Sequence, residues 1–229
     1  MKPHNPLYYR WKGKLLHSGI HILSHMRLLI RWTFFSVFTG SIMGLIGVAF
    51  VYCIQSVTTL RTNFVWMPLT LPLGGLLIVW LYRISHDQND KGTNMVLASL
   101  RSEAELPVQM APMIFISTII THLCGGSAGR EGAALQLGGS VGNLLGRLFR
   151  LNERDIRVMI LCGMSAAFSA IFRTPIAAAV FAMEVGCVGA MQYAALVPCT
   201  ISSLTASYLA SKLGIPLAHF SVTQMPGLH

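Results

Sequence analysis

Arg130 and Glu131 stand side by side in the stretch CGGSAGREGAALQLGG, residues 124–139, with Gly126, Gly129 and Gly132 recurring at every third position. Glycine tolerates positive φ and lets another group come close to the backbone. The residues that follow, 133–146, are uncharged and helix-compatible. The motif is therefore an exposed-backbone turn that feeds a helix N-terminus, whose unpaired N–H groups and partial positive charge bind anions. A glutamate placed there has two readings. It forms a plain ion pair with Arg130, or its carboxylate sits in the anion site as a tethered competitor. In the second reading protonation makes it leave and lets the anion in, so one group is both gate and proton acceptor. Neighbours in a turn seldom face each other well, which favours the second. Nucleotide chemistry is excluded on the motif itself. A phosphate-binding loop needs Lys-Ser or Lys-Thr where Glu131, Gly132 and Ala133 stand, and a dinucleotide fingerprint follows a strand, not an apolar helix.

The elements that position this turn belong to a membrane. Of the 229 residues, 53% are hydrophobic and only 11% charged, against about 25% charged in soluble domains. No charge occurs between Arg31 and Arg61, between Arg61 and Arg83, from Leu106 to Gly129, or from Val185 to Ser211. A hydrocarbon core needs about 20 apolar residues per helix, so four stretches are long enough to cross. The net charge of +9 fits a membrane explanation better than nucleic acid. Lys2, Arg10, Lys12, Lys14, Arg27 and Arg31 precede the first span, the positive-inside mark of a cytoplasmic N-terminus. The expectation is an all-α, polytopic membrane protein in the inner (plasma) membrane, with no enzymatic site, no cofactor and no metal. Cys53, Cys124, Cys162, Cys187 and Cys199 form no C-x-x-C pair and read as small packing residues. His21 and His25 share a helical face without a carboxylate or cysteine nearby, which leaves no metal site.

Along the chain, a basic amphipathic leader covers residues 1–31. A first helix runs to about Gln55, a turn contains Arg61 and Asn63, and a second helix covers about Pro68 to Arg83. A polar loop over 83–92 lies in water, and a short helix starts near Thr93. Helices follow at about 107–123 and 131–150, and then at about 156–171, 175–188 and 191–212, with Gly189 breaking the last pair. Several are too short to span, the pattern of transporters whose half-helix ends point at a midplane ion site.

GGSAGREGAALQLGGSVG, residues 125–142, resembles the G-[K/R]-E-G motif of the CLC family of anion channels and anion/proton exchangers. KGTNMVL, residues 91–97, falls where that family has its first anion-binding loop. AAFSAIFRTPIAAAVFAMEV, residues 166–185, resembles its Phe-Asn-x-Pro segment. The resemblance covers about residues 33–215. It implies that Glu131 is the gating glutamate, flanked by Gly129, Arg130 and Gly132. It implies an anion site built from Gly92, Thr93, Asn94 and Met95 together with the backbone of Gly132, Ala133 and Ala134. It also implies a proton route through Glu184, to which His122 is added as a candidate; a satisfied helix-end histidine is the plainer reading of His122.

The departures carry information. Thr93 replaces the loop serine, Asn94 and Val96 stand for its glycine and proline, Ala133 replaces a proline, and Val185 replaces the second acid beside Glu184. These departures resemble the bacterial branch that exchanges fluoride for protons. Fluoride is a small, strong hydrogen-bond acceptor, and Thr93 and Asn94 offer a hydroxyl and an amide; the plain alternative is that both cap the short helix. Fluoride/proton antiport is the first reading. Chloride channel or chloride/proton exchange is the alternative. Family members are homodimers built from two inverted repeats and are about twice this length. The chain thus reads as an N-terminal repeat over 32–215 with a tail at 216–229: half of a split transporter completed by a second polypeptide, a fragment, or a remnant that transports nothing. Ions, protons and lipid are the expected partners, and nucleic acid is not.

Overall fold

The computed structural model describes residues 6–64, 66–85, 92–101, 106–186 and 192–215, with side chains described from residue 26 onward. Eight α-helices make up the described fold: α1 (Pro6–Asn63), α2 (Leu71–Ile84), α3 (Thr93–Leu100), α4 (Met110–Leu123), α5 (Arg130–Leu148), α6 (Glu153–Phe172), α7 (Pro175–Val185) and α8 (Leu196–Lys212). Single 3₁₀ turns precede α2 and α8. The described residues contain no strand, in keeping with an all-α membrane protein. Four segments are long and apolar enough to cross a bilayer: Met26–Asn63, Met67–Ile84, Glu153–Phe172 and Tyr193–Lys212.

The centre of the bundle is α6, which packs on α1, α5, α7 and α8. Met159, Cys162, Met164, Ala166, Ala167 and Ala170 along it are fully buried. Lipid tails are as apolar as leucine, so association rests on close packing and hydrogen bonds between helices. Both are present. A Cβ on Gly138 would fall inside the Gly163 carbonyl, and one on Gly142 inside that of Met159, so α5 and α6 touch backbone to backbone. Between α6 and α8, Ser165 donates to the Cys199 carbonyl at 3.0 Å, Ser169 to that of Ser203 at 2.7 Å, and Ser202 back to that of Cys162 at 3.1 Å. Helix α2 is the opposite case. Gly74 is its one buried residue, seated against Cys124 and Ile120, and its leucines face outward.

Two expectations change. The first helix does not stop near Gln55: it continues through Arg61 to Asn63 without a turn, and it also runs unbroken through the 31/32 division. Its 38-residue apolar part is about 57 Å long, nearly twice a hydrocarbon core, so it tilts or projects. Leu106–Gly129 does not form a full span either. Pro107 and the glycine turn confine its helix to the 14 residues of α4, whereas Glu153–Phe172, with no charge after Arg157, reaches full length. The loop over 86–91, Cys187, Gly189, residues 1–5 and the tail at 216–229 lie outside the described residues.

Candidate functional site

The glycine turn after α4 is built by specific contacts. The Cys124 and Gly125 amides close the end of α4 on Ile120 and His122, Gly125 takes φ +84, and the Gly126 amide bonds the Thr121 carbonyl at 2.8 Å. The chain then extends through Gly129 (φ −69, ψ 136), the N-cap of α5, which carries no side-chain cap. A helix that starts at Arg130 leaves the amides of Gly129, Arg130, Glu131 and Gly132 without partners inside the helix. Those of Ala133 and Ala134 donate back to Gly129 and Arg130 by helix register, and both residues are buried. The free donors thus begin three residues before the 132–134 set expected from sequence and share only Gly132 with it. Ala133 and Ala134 pack beneath them.

The second terminus comes from α3. Its N-cap is Gly92, at φ +60 and ψ −136, again without a side-chain cap. Thr93 and Asn94 therefore do not cap this helix. Asn94 is exposed, and Thr93 turns toward α5, where its Oγ1 lies 3.2 Å from the place a Cβ on Gly132 would take. Glycine at 132 is thus what lets the two helix starts meet. Met95 adds no donor, because its amide bonds the Gly92 carbonyl at 3.0 Å and its side chain joins the core around Val96.

Gln136 completes the junction. Its Nε2 donates to Thr93 Oγ1 at 3.2 Å, and the residue is only 7% exposed. A hydroxyl that accepts from Gln136 keeps its own hydrogen free for another acceptor, polarised by the bond it has received. Sequence reasoning missed Gln136. The signal was there, a single amide one turn beyond Gly132 in an otherwise apolar run, but its partner lies 43 residues away.

Glu131 is exposed, and its Oε2 lies 3.0 Å from the place a Cβ on Gly129 would take, so the carboxylate folds back over its own helix start. Among the described residues its carboxylate forms no salt bridge. The plain Arg130–Glu131 pair is absent. Two half-helix N-termini, a polarised hydroxyl, an amide and an exposed carboxylate lie at this junction, an arrangement that suits a small anion and a proton. Glu184 is exposed at the end of α7 and makes no hydrogen bond or ion pair among the described residues. His122 donates its Nδ1–H to the Thr118 carbonyl at 2.9 Å, the satisfied helix-end arrangement. Neither is joined to Glu131. No group of three or more metal-ligating side chains occurs among the described residues.

Comparison with known proteins gives a consistent picture. Residues 74–227 match the family described as voltage gated chloride channel. A chloride/fluoride channel protein of Pseudomonas syringae pv. tomato is 30% identical over 198 residues, which are 86% of this chain and 44% of that protein. An H(+)/Cl(−) exchange transporter of Citrobacter koseri is 31% identical over 163 residues, 63% of this chain and 34% of that one. The crystal structure of a CLC-type fluoride/proton antiporter superposes with a TM-score of 0.79 at 33% identity, covering 88% of this chain and 51% of the other. A cyanobacterial Cl−/H+ antiporter structure, at 21% identity and a TM-score of 0.70, shares the fold. The chain spans about half the length of the relatives it matches, the N-terminal half of their fold.

Proposed function

Because the chain belongs to the voltage-gated chloride channel family, whose members are integral membrane proteins, we propose that it supplies one half of an anion pathway that exchanges fluoride for protons across the inner membrane. The observation that carries this reading is the meeting of the α3 and α5 N-termini at Thr93 and Gln136, with the Glu131 carboxylate folded over the start of α5. Each end presents unpaired amides and a partial positive charge to an anion. In the resting state the Glu131 carboxylate takes that place. Protonation removes its charge and its hold on the amides, the side chain swings out, and the anion enters. When the proton leaves on the other side, the carboxylate returns and expels the anion. Each cycle thus couples an anion to a proton.

Fluoride is favoured over chloride because the Thr93 hydroxyl and the Gln136 amide add direct donors for a strong acceptor. Arg130 contributes positive charge beside the turn. Chloride/proton exchange is the second reading, favoured by the likeness to a protein named as an H(+)/Cl(−) exchanger. Glu184 and His122 are proposed as stations of the proton route. Segment 32–215 acts as one repeat, and its complement, a second polypeptide or a continuation of this one, closes the site in a homodimeric assembly. The N-terminus lies on the cytoplasmic side, as its basic residues indicate.

The test is ion efflux from liposomes that hold the chain together with the C-terminal half of a family relative, followed with fluoride and chloride electrodes and a pH readout. Fluoride efflux driving proton entry supports the reading. Chloride moving with protons at equal or greater rate replaces fluoride by the second reading, and flux of neither ion from a properly inserted assembly sinks both.

A further inference from the structure

One end of the bundle is rich in arginine. The apolar part of α1 opens with Arg27 and Arg31, and the end of α5, its connection to α6 and the start of α6 bring Arg147, Arg150, Arg154 and Arg157; the acids among them are Glu153 and Asp155. Contacts hold these pieces together. Arg31 reaches Asp155 at 3.4 Å and lies 5.4 Å above the Phe35 ring, which is 5.0 Å from Phe149. Phe149 leads directly into Arg150, which is exposed, as are Arg27 and Arg154. Even inside its ion pair the Arg31 side chain is 48% exposed.

An apolar strip runs from this basic end toward the membrane interior. Phe34 is 60% exposed and stacks on Phe38 at 6.3 Å; Phe38 meets Phe149 at 5.5 Å; Leu148, which precedes Phe149 in the chain, is 67% exposed. Basic residues at a membrane surface are in themselves only a topology signal. Here arginines in excess of their acids cap a continuous exposed aromatic and aliphatic strip, so charge and apolar surface are matched at the two depths that a phospholipid occupies. Guanidinium groups meet phosphate oxygens in a bidentate fork, and basic pockets at helix ends take anionic headgroups.

We propose that this face binds one anionic diacyl phospholipid, its phosphate held by Arg31, Arg150 and Arg154 and an acyl chain laid along Phe34, Phe38 and Leu148. The test is native mass spectrometry of the full chain, titrated in detergent with a phosphatidylglycerol and with a phosphatidylcholine of the same acyl chains. One phosphatidylglycerol is expected to be retained at least fivefold over phosphatidylcholine. Arg150→Gln with Arg154→Gln is expected to erase that preference, while Arg61→Gln with Lys212→Gln, equal in charge but at the far end of α1, leaves it. Phe34→Ala with Leu148→Ala keeps the charge, and is expected to weaken retention of long-chain but not dihexanoyl phosphatidylglycerol. Equal retention of both lipids, an equal loss in the far-end pair, or displacement of the lipid by millimolar inorganic phosphate would overturn the proposal. The lipid comparison and the phosphate competition use the unaltered chain, so they decide even if the arginine variants do not fold.

Discussion

In the proposed mechanism Glu131, Thr93 and Gln136 divide the work, and each substitution has its own signature. Glu131→Gln keeps the shape and removes the titration. The unaltered assembly is expected to take up protons as fluoride leaves, whereas the variant, with no carboxylate to carry a proton, should move fluoride with no proton entry. Thr93→Val and Gln136→Leu each delete one donor near the anion. A hydrogen bond to a charged group is worth about 1.5–3 kcal/mol, so each is expected to weaken fluoride binding by about tenfold or more. The two together should lose less than the sum of the singles, because Gln136 acts partly through the Thr93 hydroxyl; strict additivity in a fluoride titration would contradict the contact seen at 3.2 Å. The sequence made Glu131, Gly129, Gly132 and Thr93 legible, since a charge and repeated glycines are out of place in so apolar a chain. It hid Gln136, and it placed the donors at Gly132, Ala133 and Ala134, of which only Gly132 is free, because the register of a helix start is set by where the extended Gly129 ends, which composition does not reveal.

At the scale of elements, the short helices were readable and the long one was not. Pro107, Pro175 and the glycine turn mark ends that any reader of local rules finds. Arg61 and Asn63 looked like a turn, yet α1 carries them as its last helical residues, because a helix that emerges from the bilayer no longer has to exclude charge. Glycine has two jobs in this bundle: it opens the turn before α5, and it brings α5 onto α6. The second predicts a steep cost. Gly163→Val would drive side-chain carbons into the Gly138 carbonyl, where neither backbone has room to move. Overpacking costs about 1–3 kcal/mol and occasionally more, so the thermal midpoint in detergent should fall by several degrees. An unchanged midpoint would mean that α5 and α6 do not cross there. By contrast, Ser169→Ala removes a single interhelical bond of 2.7 Å. It is expected to cost about 0.6 kcal/mol and no more than about 1.7, read from the same melts.

At the scale of the molecule, the four crossing segments, α5 and the three short helices α3, α4 and α7 make an asymmetric bundle. Its two useful N-termini meet at Thr93 and Gly132 with Glu131 exposed beside them. The proposed ion site is open on that side, where an inverted repeat would close it. The membrane class was plain in the sequence from its charge-free runs. The half-length relation was plain from the motifs it carries, but how the complementary half is supplied is a property of the assembly. The most direct test of the central claim, that Glu131 gates an anion site built on the α3 and α5 termini, is proton-coupled fluoride efflux from liposomes. It compares the unaltered chain with Glu131→Gln, each co-reconstituted with the C-terminal half of a relative. The account predicts fluoride efflux with proton entry in the first and fluoride movement without protons in the second. Proton coupling that survives Glu131→Gln unchanged would contradict it.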